Sequence, residues 1–265
     1  MITTLIKKEI KSNSKIYIIF FSVIAIYIFS LLSMYNPALE ESLIALEKSM
    51  PEILAIFGMQ NRGTTLLDFI VNYLYRFVLI VTPFIYTTIM CYKLVAKYEE
   101  KGAMAYLLNS HYSRKQIIIT QGINLLLGIS MMIVFATSLT ILSCAIMFQG
   151  ELDIIGFLIL NLGLLILQIF LATFCFMFTC AFSEIKYSVG LGAGIGSLFI
   201  MIQMVSQVYD NELLKYCNPL SLFNPDKIIE YNPISLLCIG ILFVLSILFF
   251  IVAIKAFKRK DLRNL

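Results

Sequence analysis

The stretch IYIIFFSVIAIYIFSLLSMY, residues 16–35, decides the fold class. It runs for 20 residues without a charged side chain. At about 1.5 Å of rise per residue, a helix of that length covers about 30 Å, the depth of a bilayer's hydrocarbon core. Lipid offers no partners to backbone N–H and C=O groups, so a lone apolar segment of this length is read as a transmembrane α-helix. The rest of the chain has the same character. Of its 265 residues, 60% are hydrophobic and 14% are charged, against about 25% charged in soluble domains. Too few polar residues remain to cover a water-facing surface, which excludes a soluble globular enzyme. Disorder is excluded too, because so apolar a chain collapses or inserts.

On the N-terminal side of this span stands MITTLIKKEIKSNSK, residues 1–15. Ile2, Leu5, Ile6 and Ile10 fall near one helical face and Lys7, Lys8 and Lys11 fall elsewhere. That pattern predicts a short helix lying in the membrane interface; a basic flank that only orients the first span is the alternative. A cleavable signal peptide is not read here, since no small-residue cleavage site follows the apolar run.

On the C-terminal side, residues 36–63 carry Glu40, Glu41, Glu47 and Glu52 among apolar residues spaced at three and four, and read as one or two amphipathic helices on the outer face. Five further spans follow, over residues 69–95, 117–148, 154–182, 188–208 and 233–257, with Pro83 as a kink in the second. The expected architecture is an all-α polytopic membrane protein: one transmembrane domain, residues 1–265, with six spans. Placing both termini in the cytoplasm puts 15 of the 20 basic residues and 5 of the 16 acids inside. The reverse orientation inverts this bias and violates the positive-inside rule. The basic excess is therefore a topology signal, with some attraction to anionic lipid, and carries no indication of nucleic-acid binding.

Six cysteines are present, of which only Cys217 lies in a polar segment, and no CxxC occurs. They read as small buried hydrophobes rather than disulfides. With one histidine, His111, and no cysteine cluster, a metal site is not expected. No GxxxxGK[ST], HExxH or GxSxG occurs, so neither ATP binding nor intramembrane proteolysis is written in the chain. The glycines at Gly190, Gly192, Gly194 and Gly196 lie inside an apolar span and read as small-xxx-small helix packing rather than a phosphate loop.

Polar residues inside spans are the remaining candidates. Asp68, Asn72 and Arg76 are spaced at four and stack along one side of the second span. They are candidate lining for an outer vestibule. The alternative pairs Arg76 with the Asp68 neighbourhood at the interface, the arginine reaching headgroups. Gln203, Ser206 and Gln207 share one side of the fifth span, and Asn161 and Gln168 one side of the fourth. Gln203 and Gln207 are also candidate lining, although such groups more often form interhelical hydrogen bonds.

The most informative segment joins spans two and three: KYEEKGAMAYLLNSHYSRKQIIITQG, residues 97–122. Met104, Leu107 and Leu108 fall on one helical face, and Glu99 and Glu100 near that helix's start, where the dipole favours acids. The pattern E-E-x-G-[TA]-x-x-x-L-L-[SN]-x-x-x-S-R-x-x-I is met by Glu99, Glu100, Gly102, Ala103, Leu107, Leu108, Asn109, Ser113, Arg114 and Ile117. It resembles the loop of ABC-2 type permeases, the membrane subunits of bacterial ABC exporters. Ala103 replaces the usual threonine, and His111-Tyr112 stands where a proline is common. In outline the resemblance covers the whole chain, including Pro51–Gly58 and the terminal Phe257-Lys-Arg-Lys-Asp261.

That resemblance implies a multi-pass protein of the bacterial plasma membrane, without enzymatic activity. It implies a second permease copy, identical or related, and separate ATP-binding cassette subunits that bind ATP and magnesium; this chain holds no cofactor. The loop becomes a cytoplasmic coupling helix. Met104, Leu107 and Leu108 seat it in the ATPase, while Glu99, Glu100, Gly102, Ser113 and Arg114 set its register. Apolar span faces favour an amphipathic peptide, a lipid or a drug as substrate. Two rivals stand beside this reading. One is an accessory or immunity protein that binds a toxic peptide without pumping it. The other is an ion-coupled carrier, which prefers paired acids deep in its spans, and this chain has none there.

Overall fold

The computed structural model of the chain describes residues 2–35, 49–50, 65–102, 104, 112–208 and 218–260. Among these residues the fold is entirely helical, and six helices are long and apolar enough to cross a membrane. This is a multi-pass membrane protein. The amphipathic helices expected within residues 36–63 lie outside the described residues, apart from 49–50.

A short helix, α1 (Thr3–Ser12), precedes the first span, α2 (Ser14–Met34). The second span, α3, runs from Leu66 to Glu100, and α4 runs from Arg114 to Met147. Then come α5 (Ile154–Ala181), α6 (Ile185–Val208), the short α7 (Pro225–Ile229) and the last span, α8 (Pro233–Arg259). Each span lies within a few residues of its sequence-expected range except α3. That helix continues through Lys97–Glu100, which the sequence assigned to the following loop. At 35 residues α3 is about 50 Å long, against about 30 Å for the hydrocarbon core.

Local chemistry sets the helix starts. Thr65 and Asp68 form a reciprocal capping box at the head of α3, and Ser113 and Gln116 form another at the head of α4. Three Asn-Pro pairs start the 3₁₀ turn Pro219–Leu222, α7 and α8. In each, the asparagine side chain accepts a backbone N–H and the proline fills the first helical position, where no donor is needed.

α5 is the hub, packing against α8, α6, α3 and α4, while α2 lies against α4. Phe157, Phe170 and Phe176 of α5 are fully buried, with Tyr75 and Tyr86 of α3 and Phe257 of α8. Hydropathy and burial part company here. α8 has the highest mean hydropathy, 3.2, yet only 22% of its most apolar stretch is buried inside the chain. Its Leu237, Phe243, Val244 and Leu248 face outward, because the solvent for that face is lipid.

α3 is not a uniform rod. Wider π-helical turns occupy Val71–Tyr75 and Tyr92–Ala96, and Pro83 interrupts the hydrogen-bond ladder between them. Proline offers no N–H to the carbonyl four residues earlier, Leu79. Gln168 of α5 answers that deficit: its Nε2 donates to Leu79 O at 2.8 Å and to Ile80 O at 3.1 Å. The carbonyls freed near Pro83, where the sequence predicts a kink, are thus taken up by an interhelical hydrogen bond, one of the uses foreseen for Gln168.

The four glycines of α6 divide into two pairs. Gly192 lies against the backbone of α5, where an added Cβ would stand 3.0 Å from Cys175 Cα; Gly196 lies against the Phe84 ring. Gly190 and Gly194 have nothing within 4 Å of such a position. One pair therefore packs within the chain, and the other leaves an open face. A backbone clash cannot be relieved by a rotamer change. Gly192→Ala is expected to lower stability by about 1–3 kcal/mol, whereas Gly190→Ala should not lower it. The thermal unfolding midpoints of the two variants in detergent check this contrast.

Candidate functional site

The end of the bundle that holds most of the basic residues also holds α1, the end of α3, the start of α4 and the end of α8. Lys260, just past α8, gathers them. Its Nζ donates to both carboxylate oxygens of Glu99, at 2.9 and 2.8 Å, and to Phe182 O at 2.6 Å. An ammonium has three donors, and all three are used. The backbone carbonyl of Lys260 accepts Arg114 Nη1 at 3.1 Å, and its N–H donates to Ala256 O. One residue thus links α3, α4 and the exit of α5 to the end of α8. The side chains of the ion pair are 4% and 0% exposed for Lys260 and Glu99.

Around this node lies a second polar group. Tyr98 of α3 donates its hydroxyl to Glu9 Oε1 at 2.5 Å, and Asn13 Nδ2 donates to the Glu9 carbonyl and to Oε2. Glu9 is buried although it belongs to α1, the predicted interfacial helix. That helix buries Ile2, Leu5 and Ile6 as its spacing required, and Ile2 N donates to Thr120 Oγ1 of α4. It is docked on the bundle as well as amphipathic.

The loop residues expected to meet a partner divide accordingly. The Glu99 carboxylate, expected to set register on a partner surface, points inward to Lys260 within this chain. Burial of a charge requires its counter-ion, and Lys260 occupies it. Met104, expected to seat the loop in a partner, is 1% exposed and joins the main apolar core of this chain. Glu100 remains on the outside, accepting the Tyr92 hydroxyl at 3.0 Å. Gly102 turns the chain at φ +64°, a region that favours glycine over residues carrying a Cβ. Ser113 caps α4, and Arg114 opens it beside Lys260. Leu107 and Leu108 lie outside the described residues.

At the opposite end of the bundle, Arg76 Nη2 donates to Asp226 Oδ2 of α7 at 2.6 Å, and its Nε donates to Asn72 Oδ1 at 3.0 Å. Asp68 turns back to the Thr65 hydroxyl at 2.8 Å. The partner of Arg76 is therefore Asp226, 150 residues away in sequence, rather than the Asp68 neighbourhood. Gln203 accepts Asn218 Nδ2 at 3.0 Å and so fastens α6 to the segment before α7. The side chain of Gln207 lies outside what is described. Asn161 accepts the Thr137 hydroxyl of α4 at 2.8 Å. The polar residues of the spans mostly bond backbone carbonyls, and a few bond one another, which is the economical arrangement in lipid.

Sequence reasoning missed Lys260, Glu9, Asp226 and the two capping boxes. The boxes were readable, since Ser113-x-x-Gln116 and Thr65-x-x-Asp68 carry the required spacing. The ion-pair partners were not, because nothing local ties residue 99 to residue 260. Among the described residues no group of three His, Cys, Asp or Glu side chains is placed to hold a metal ion. No protein-family model matches the sequence, and no curated protein matches it significantly.

Removing one member of a buried ion pair leaves the other charge unpaired, at about 3–5 kcal/mol. Lys260→Met is therefore expected to cost about that much, and Lys260→Met combined with Glu99→Gln to recover a large part of it. Chemical unfolding of the wild type, both single variants and the double variant measures the coupling.

Proposed function

We propose that the chain is the permease subunit of an ABC exporter of the ABC-2 type. In this reading it pairs with a second permease copy, and separate ATP-binding subunits drive it from beneath. It does no covalent chemistry itself. Its cytoplasmic end is the basic end, as the distribution of Lys and Arg predicts, and its membrane is the bacterial plasma membrane.

The observation that carries the reading is the anchoring of the loop between α3 and α4. The loop bears the sequence pattern of a coupling element, and both its shoulders, Glu99 and Arg114, are bonded to Lys260. A push on such a loop is not absorbed locally. It passes to α3, α4 and α8 together, as rigid-body movement requires. α3 has two π-helical segments and a proline along its length, so this span can bend between its anchored ends. The apolar contact to the ATPase falls to Leu107 and Leu108. The cargo is an amphipathic or lipidic molecule, in keeping with spans whose polar groups mostly satisfy each other rather than face a pathway.

Arg76 and Asp226 sit at the far end of the same span. If they line the exit, Arg76→Ala changes transport while the ATPase still co-purifies. The main test lies at the near end. Replacing Leu107 and Leu108 together by Asp places charge in the docking contact, at a cost of several kcal/mol, enough to abolish a micromolar association. The expected result is loss of the co-purifying ATPase with expression and protease accessibility unchanged. Stoichiometric retention of the ATPase by this variant, with normal pumping, would remove the coupling assignment. Absence of any nucleotide-hydrolysing partner from the native complex would favour the accessory, peptide-binding reading instead.

A further inference from the structure

Between α2, α3 and α4, away from both polar ends, a set of neutral hydrogen-bonding groups is shut inside the bundle. Gln121 and Asn124 of α4 are each 1% exposed. None of their four amide atoms has a hydrogen-bond partner among the described residues. Gln121, Asn124 and Gly128 are spaced three and four apart and so share one face of α4. What that face meets is shown at Gly128, where a side chain would overlap the hydroxyls of both Tyr86 of α3 and Tyr17 of α2. Those two rings lie 5.6 Å apart. The amides and the two phenols therefore belong to one seam between three helices.

Each buried amide atom without a partner forfeits its hydration and gains nothing in return. Lipid supplies no compensation, and most other polar groups of these spans have found at least one partner: Gln168 donates to a carbonyl pair although its Oε1 has none, Asn161 accepts a threonine, and Ser130 and Thr140 reach the carbonyl one turn back; the Thr87 hydroxyl shares the lack. Gln121 and Asn124 stand apart from this economy. A ligand that could satisfy them must be small and able both to donate and to accept, since each amide presents NH₂ and C=O; the ionised residue on this face of α4, Arg114, lies two turns before Gln121 and is engaged with the Lys260 carbonyl.

We propose that this seam is an internal hydration site, in which ordered water is held by the amides of Gln121 and Asn124 and by the hydroxyls of Tyr17 and Tyr86. A buried water needs two to four polar partners, and these four side chains provide them. Glu9, Asn13 and Tyr98 form a further buried polar group, where α1 leads into α2 at the basic end of the bundle. The site gives α2, α3 and α4 a contact whose hydrogen bonds can be remade as the helices shift, where direct side-chain bonds would have to break. It rests on no assignment of cargo or partner.

X-ray radiolysis of the full-length chain in phosphatidylcholine nanodiscs tests it, because hydroxyl radicals formed from a bound water oxidise the side chains beside it. The probe is water itself. Tyr86 is expected to gain oxygen, while Phe157 and Phe176, rings as fully buried but set in apolar surroundings, do not. In a Gln121→Leu/Asn124→Leu variant the label on Tyr86 is expected to be lost. Labelling of native Tyr86 no greater than that of the two phenylalanines overturns the proposal without recourse to any variant. Undiminished labelling in a folded double variant overturns the assignment of the water to these amides.

Discussion

An ammonium group carried into a low-dielectric interior must be neutralised and must spend all its donors, or it will not stay there. Lys260 meets both conditions at once. Its charge is balanced by Glu99, and its third N–H is taken by Phe182 O at the exit of α5. With Arg114 on its carbonyl, the residue becomes the common anchor of helices that are far apart in sequence. The pair contributes little net stability against an apolar substitute of equal volume. Its effect is on geometry: there is one place for each helix end, and departure of any one leaves a buried group unsatisfied.

The same logic runs through the membrane interior at lower cost. Pro83 breaks the ladder of α3, and Gln168 repairs it from α5. Threonine and serine hydroxyls turn back to the carbonyl four residues earlier, as at Thr140 and Ser246. Where α2, α3 and α4 meet, this system leaves two whole amides over, and there the missing partner is best supplied by water. The apolar side chains, by contrast, face two different apolar media. Around α5 they pack on one another; on α8 and α6 they face lipid, and nothing in their chemistry distinguishes the two.

These features give the second span a particular mechanical character. It is fixed at the basic end through Glu99 and at the other through Arg76 and Asp226, and between these points it contains two wide turns and a proline. A helix that is pinned at both ends and compliant in the middle responds to a displaced end by bending.

The sequence alone determined the fold class, because insertion depends on local apolar length and little else. Six apolar runs were enough to place six helices, five of them within a few residues. It also marked the amphipathic spacing of α1, the punctuation at Pro83 and the small-residue run of α6, each a property of neighbouring residues. Tertiary structure decided which of these did what. It put Gly192 and Gly196 inside and Gly190 and Gly194 outside, although all four have the same local context. It turned Glu99 and Met104 inward from a loop whose pattern read as partner-facing, and it gave Arg76 a partner 150 residues away. Charge pairing acts through space, and a chain that folds back on itself five times brings together residues whose separation along the sequence carries no trace of that contact.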